Sequence, residues 1–326
     1  MQTVTTIGFD IAKSVFQIHG VDAAGNVIVR RKLKRRYVLP FFQKPPPCLV
    51  GIEACASSHH WSRELRALGH TVRLMPPAYV RPYIKRQKND AADAEAICEA
   101  VTRANMRFVA TKTPEQQSCL MLHRTRHLFI RQQTAVINAI RAHLAEFGII
   151  APVGRNGVEQ LLYLVANASD NRLPEIARAC VLALGAQLRT LKAQILNFDR
   201  QIMAWHRSNE ASKRLDEIPG VGPALATALV ASVADPKAFR SGRDFSAWIG
   251  LVPKTRAGAR TSLAVSANRA TAICAACSQL ARWRSSAMPR STALTIGLGL
   301  QHCWRADLPR SQRSRSPTRS PEWRGR

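Results

Sequence analysis

Short apolar runs rich in β-branched residues alternate with turn signals through the first part of the chain. Residues 3–9 read as a buried strand and Val15–Val21 as a second, joined by a short turn, with a third around residues 26–33. The basic run 30–36 and the turn Lys44-Pro45-Pro46-Pro47 lead to an apolar run, 49–52, that ends at Glu53. A helix is predicted over 61–68 and a strand over Thr71–Met75, stopped by Pro76-Pro77. Residues 79–87 then make a basic approach to a helical stretch, K-N-D-A-A-D-A-E-A-I. This order is that of an α/β RNase H-like (RuvC-like) nuclease core, assigned to residues 1–112.

Residues 113–214 carry a helical period instead and are expected to be helical throughout, with a coiled-coil, dimerising role for the long helices. Leu120, Leu122, Leu128, Ile130, Val136, Ile137, Ile140 and Leu144 recur at helical spacing, and Leu188, Leu191, Ile195, Leu196 and Ile202 repeat the pattern over 182–203. The first of these helices carries His123, Arg124, Arg126, His127, Arg131 and Arg141. That row is either a solvated face or a face for a nucleic-acid backbone, with Arg124 and Arg131 as candidate contacts. Around Ile218 the pattern changes to I-P-G-V-G-P followed by a small-residue helix over 224–233. Gly220 and Gly222 would let backbone N–H groups approach a phosphate, and the next helix N-terminus adds its positive dipole, as in a helix-hairpin-helix element. The competing reading is a plain helix–helix turn.

Four carboxylates carry the candidate chemistry. Asp10 lies in T-I-G-F-D-I-A-K and Glu53 in L-V-G-I-E-A-C, each at the end of a predicted strand; Asp90 and Asp93 are three apart on one helical face. Singly, each would be a cap or a solvated acid. Four acids brought together in an apolar setting cannot all stay ionised without a cation, and hard oxygen ligands point to Mg²⁺. Such a site suits two-metal phosphoryl transfer. Catalytic and metal-binding roles are therefore expected at Asp10, Glu53, Asp90 and Asp93.

Composition narrows the partners. The chain of 326 residues has 48 Lys plus Arg against 21 Asp plus Glu, a net charge of +27. That excess favours a polyanion, because each neutralised phosphate releases counterions. A membrane surface would compete, but no apolar run reaches the ~20 residues that span a bilayer. No signal peptide pattern is seen at the N-terminus, and eight cysteines without paired spacing suit a reduced, cytoplasmic, nucleoid-associated protein. Cys274-x-x-Cys277 lacks the second pair that a zinc site needs.

In I-G-F-D-I-A-K, G-I-E-A-C, K-N-D-A-A-D-A-E-A-I, I-P-G-V-G-P-A-L-A-T-A-L-V-A and G-R-D-F-S-A-W-I-G-L-V-P, in that order, the chain resembles the IS-one-ten family of insertion-sequence transposases. These are the DEDD recombinases, and the likeness is to their IS-eleven-eleven branch. The resemblance implies metal-dependent DNA strand cleavage and exchange, DNA at the element ends and target as partner, a guide RNA encoded by the element, and a homo-oligomer (dimer or tetramer). It also implies a helical C-terminal transposase domain, here residues 215–254, supplying a serine nucleophile to a composite site.

The resemblance is expected to end at Lys254. Up to that point there are 11 Lys and 24 Arg; beyond it there are 13 Arg, no Lys and only two acids, Asp307 and Glu322. Ala257-Gly258 stands where a Ser-Gly pair would align, and Ser262 and Ser266 lie outside any matching motif, so no serine nucleophile is assigned. Shifting residues 255–277 by one base, with permitted synonymous codons, recovers a Ser-Ser-Gly-Gly continuation. Residues 255–326 are therefore read as a frameshifted, disordered tail that leaves this copy inactive. Without further helices, 225–233 and 248–251 would be left uncovered. The rival readings are a Holliday-junction resolvase or similar RNase H-like nuclease and a non-catalytic nucleic-acid-binding remnant. An actin-like phosphotransferase lacks its second phosphate loop here.

Overall fold

A computed structural model describes residues 3–84, 89–167, 171–218, 220–249, 253–254 and 262–263. The chain divides into two units, 1–114 and 115–326.

The first unit is a mixed five-stranded sheet with helices. In chain order it contains β1 (Thr6–Ile11), β2 (Val15–Val21), β3 (Val27–Lys34), α1 (Val38–Phe42), β4 (Leu49–Glu53), α2 (Ser58–Ala67), β5 (Thr71–Met75), α3 (Pro77–Val80) and α4 (Asp90–Ala100). The sheet order is β3-β2-β1-β4-β5. The first three strands are antiparallel, and β1, β4 and β5 are parallel. The β2–β3 turn is set by Asp22, whose Oδ1 accepts from the N–H groups of Ala24 (2.9 Å) and Asn26 (2.8 Å), and by Gly25 at φ 85°.

Strand pleating sends Ile7 and Phe9 to one face, where they join Phe16, Ile18, Phe42, Trp61 and Leu65. Phe9 and Phe16 stack at 5.5 Å, and Trp61 meets Phe16 edge-on at 5.2 Å. His70 is buried beside this core with both ring nitrogens used. The Cys48 N–H donates to Nδ1 (3.2 Å), so Nε2–H donates to the Phe42 carbonyl (2.8 Å). Two boundaries differ from expectation. β1 runs on to Ile11, which places Asp10 inside the strand opposite Gln17. α2 starts at Ser58, whose hydroxyl donates back to the Cys55 carbonyl and tightens the entry.

The second unit is helical: α5 (Pro114–Ala145), α6 (Arg155–Ala166), α7 (Glu175–Ser208), α8 (Glu210–Asp216), α9 (Pro223–Ser232) and α10 (Gly242–Ile249), followed by the short antiparallel pair β6 (Pro253–Lys254) and β7 (Ser262–Leu263). α5 and α7 run in opposite directions. Cys119 and Leu120 pack near Trp205, Phe129 meets Phe198 at 5.5 Å, and Val136, Ile140 and Leu144 share a core with Val181, Leu188 and Leu191. The expectation of helix throughout 113–214 is corrected. Gly148 (φ 69°) and Gly154 (φ 116°) turn the chain out of α5 and into α6, and Leu161 and Val165 of α6 complete the core. The expectation of an uncovered surface over 225–233 is also corrected. Leu225, Leu229 and Val233 are buried with Leu215, Ile218, Val221 and Phe245. Leu251 lies outside the described residues. Among the described residues no helix is long and apolar enough to cross a membrane.

Candidate active site

The site begins with the pleat of two neighbouring strands. In β1, Gly8 and Asp10 share the face opposite Ile7 and Phe9; in β4, Leu49, Gly51 and Glu53 share the same face. Gly8 and Gly51 are register partners, and so are Phe9 and Ile52, which brings Asp10 and Glu53 level one residue further on.

The glycine pair lets α4 lie directly on the sheet. A Cβ at Gly8 would sit 2.6 Å from the Cys98 nitrogen and 2.8 Å from Cys98 Cβ; one at Gly51 would sit 2.8 Å from Val101 Cβ. On the helix side Ala94, Ala96, Cys98 and Ala100 are small and buried. The Cys98 thiol reaches the Thr6 carbonyl at 3.8 Å, so α4 runs back along β1 from the Asp10 end. Its first turn, capped by Asn89 accepting from the Ala92 N–H at 2.8 Å, therefore carries Asp90 and Asp93 to Asp10 and Glu53. The two glycines are the positioning residues that sequence reasoning missed. The available signal was an isolated glycine inside each strand, a mark of close backbone approach.

The four acids feel one another. Asp10 is pushed up to about 6, first by burial and then by the negative charges of Asp93, Asp90 and Glu53. Asp93 Oδ1 is buried and has no hydrogen-bond partner. The helix N-terminus offsets part of this repulsion at Asp90 and Asp93. Among the described residues, no three carboxylate, imidazole or thiol groups are closed onto one point as metal ligands. The acids face each other as mutually repelling charges. An unpartnered buried oxygen beside a carboxyl with a raised pKa is the environment that a hard divalent cation would relieve, so the residues fit such an ion.

The other candidate residues lie in the second unit. Arg124 and Arg131 are exposed, two turns apart on α5. Gly220 takes φ 88° and Gly222 is the N-cap of α9, with no side chain capping that helix. Three basic residues of the same α5 row are used internally. Arg126 pairs with Asp199, His123 Nε2 bonds Thr227 Oγ1 at 3.0 Å, and Arg141 donates to the carbonyls of Ala151, Pro152 and Gly154. The row is therefore only partly a free face. Ser262 opens β7 opposite Lys254, while Ala257, Gly258, Ser266, Cys274 and Cys277 lie outside the described residues.

Two family models match the chain: a DEDD transposase model of the IS110 (IS-one-ten) group over residues 7–149, and the IS116/IS110/IS902 transposase model over residues 212–287. A protein of Sinorhizobium fredii named as a transposase, y4pF/y4sB, is 45% identical over 305 residues, covering 91% of this chain and 78% of its own. A Pseudomonas aeruginosa protein named as a family 20 transposase is 48% identical over 252 residues, 77% of this chain and 75% of its own. The transposase of insertion element IS1328 from Yersinia enterocolitica is 37% identical over 254 residues, 78% and 75% respectively. The expected end of the resemblance at Lys254 is corrected, since the second model continues to residue 287. Family membership brings DNA binding, dependence on a divalent metal and the transposase reaction. With the four acids in one another's field and both halves of the family pattern present in order, the chain belongs to the IS110 family of insertion-sequence transposases.

Proposed function

We propose that Asp10, Glu53, Asp90 and Asp93 hold Mg²⁺ in an RNase H-like, RuvC-like core that cuts and rejoins DNA strands at the element ends and target. The observation that carries this reading is the Asp10 carboxyl raised to about 6 by burial and by the three other acids. Bound Mg²⁺ would supply charge neutralisation at the phosphate and Lewis-acid activation of the attacking oxygen. The chain's own contribution is positional. β1, the end of β4 and the first turn of α4 bring the four carboxylates into one another's field, and the half-buried Asp10 keeps its proton to a higher pH than an ordinary carboxylate.

The finer assignments belong to the same proposal. Gly220 and Gly222 form a helix-hairpin-helix-like turn on a nucleic-acid backbone, with Arg124 and Arg131 as further contacts. The α5–α7 pair serves as the oligomerising element, and a guide RNA selects the DNA. Residues 255–326 remain the proposed product of a single-base shift that removes the serine nucleophile. The family match to residue 287 counts against a shift immediately after Lys254, and reading the coding DNA across codons 245–280 in three frames decides it.

The test of the core reading is Asp10→Asn. It should abolish Mn²⁺ binding while leaving DNA binding intact. Unchanged Mn²⁺ binding in the variant would remove Asp10 from the site, and with it the reading.

A further inference from the structure

The sheet face that carries the acids continues past them onto a cationic edge. Reading across the register, Asp10 lies opposite Gln17, and Gln17 opposite Lys32; one step along, Gly8 lies opposite His19, and His19 opposite Arg30. Paired residues share a face, so Lys32 and Arg30 are on the acid side, and Lys34, opposite Val15, joins them. The alternate β3 residues Val29, Arg31 and Leu33 belong to the other face, where Leu33 is buried in the aromatic core. α4 lies over β1, β2 and β4, and Lys32 and Lys34 are exposed beyond it. Arg30 marks the helix border through its 3.9 Å ion pair with Glu95.

Strand spacing puts the Lys32 backbone about 10 Å from that of Asp10, and alternate residues of β3 about 7 Å apart. The second interval is comparable to the step between successive phosphates of an extended strand, and the first is within reach of a lysine side chain plus one nucleotide. A cation that served only to protect the edge strand from pairing would work on either face. Here three of the four β3 cations fall on the face with the acids.

We propose that Arg30, Lys32 and Lys34 form a phosphate track on which one DNA strand lies as it enters the four-carboxylate site. The track deepens the reading of those acids as the cutting site and rests on it. Four carboxylates repel a polyanion, so a row of positive charge beside them resolves how the strand is held close enough to be cut. Because the track contacts only backbone, it is indifferent to sequence.

The experiment uses the full chain and a fluorescent single-stranded DNA, with affinity measured by anisotropy across a salt series. The double variant K32Q/K34Q should lower the slope of log K against log salt by about 1.4, two phosphates at roughly 0.7 each. K32R/K34R should restore the slope, and R31Q, which removes one positive charge from the opposite face, should leave it unchanged. A photo-crosslinker at position 32 should capture the DNA. An unchanged slope in K32Q/K34Q, a loss in R31Q of about 0.7, equal per charge removed, or capture of RNA in preference to DNA would each overturn the track. D10N separates the two readings. It should keep the wild-type slope and lose Mn²⁺ binding, and retained Mn²⁺ binding would remove the acid site and, with it, the track's destination.

Discussion

The first and second units handle charged groups differently. In the helical unit the charges that face neighbouring elements are paired, and among the described residues the buried side-chain atom without a partner there is a hydroxyl, Ser232 Oγ. Arg126 meets Asp199, and Arg141 caps three carbonyls of the loop before α6. His123 is pushed down to about 4 by burial and by Arg126, so it is neutral and donates to Thr227, whose hydroxyl in turn donates a hydrogen bond to the Pro223 carbonyl. In the sheet unit four acids share a site, Asp93 Oδ1 has no partner, and Asp10 is raised. Paired charges stabilise a packing, whereas an unpartnered carboxylate oxygen among three other acids marks a place where the fold accepts a local penalty for something it binds.

The sharpest way to break the contrast is Gly8→Val. The added side chain would meet the α4 backbone, which cannot move aside without lifting the whole helix. A loss of at least about 3 kcal/mol is expected, with divalent binding falling at least tenfold although no ligand is removed. Chemical denaturation alongside Mn²⁺ titration checks both; wild-type Mn²⁺ affinity would mean that α4 does not position Asp90 and Asp93. Arg141→Ala should cost about 2 kcal/mol, because three carbonyls lose a charged donor. It should leave Mn²⁺ binding untouched, and a loss of metal would contradict the assignment of a purely structural role.

Asp10→Asn should run the other way in stability. Removing a carboxylate that its neighbours repel should stabilise the metal-free protein by on the order of 1 kcal/mol after solvent screening, even as metal binding disappears. Asp199→Asn in the second unit should be destabilising, by roughly 1 kcal/mol or less, since Asp199 is partly exposed. If both substitutions shifted the melting temperature in the same direction, the contrast between the units would fail.

The smallest effect is in pH. The folded-state pKa of Asp10 lies above its unfolded value, so the folded state holds the extra proton between about 4 and 6. Metal-free stability should therefore fall as pH rises through that window. The Mg²⁺-induced rise in melting temperature should be larger at pH 7.5 than at pH 5, because the ion competes with the Asp10 proton. An equal rise at both values would mean that Asp10 is not a ligand.

Much of the first unit was legible from periodicity. The β-branched runs, the prolines after β5 and the spacing of Asp90 and Asp93 each announce a local structure, because strand pleat and helix pitch are short-range properties. The interruptions of the second unit were not legible. The apolar spacing of α5 and α7 reads as two stretches of one helical pattern with nothing marked between them, and the left-handed glycines at 148 and 154, which need their neighbours to be recognised as turns, set off α6 as a separate helix. The burial of α9 was misjudged for the same reason. An apolar helix declares that it needs a cover, but not that α8 and α10 provide one.

The sequence by itself determined the residue types and their order: four acids in apolar flanks, a large positive charge and the motifs of the family. Only the tertiary structure decided that Gly8 and Gly51 would lie side by side and admit α4 to the sheet, because parallel pairing of β1 and β4 joins residues far apart in the chain. Register likewise put Lys32 in line with Asp10 while sending Arg31 to the other face. Composition counts charges without direction, and the period of the strand together with its partner decides which way each one points.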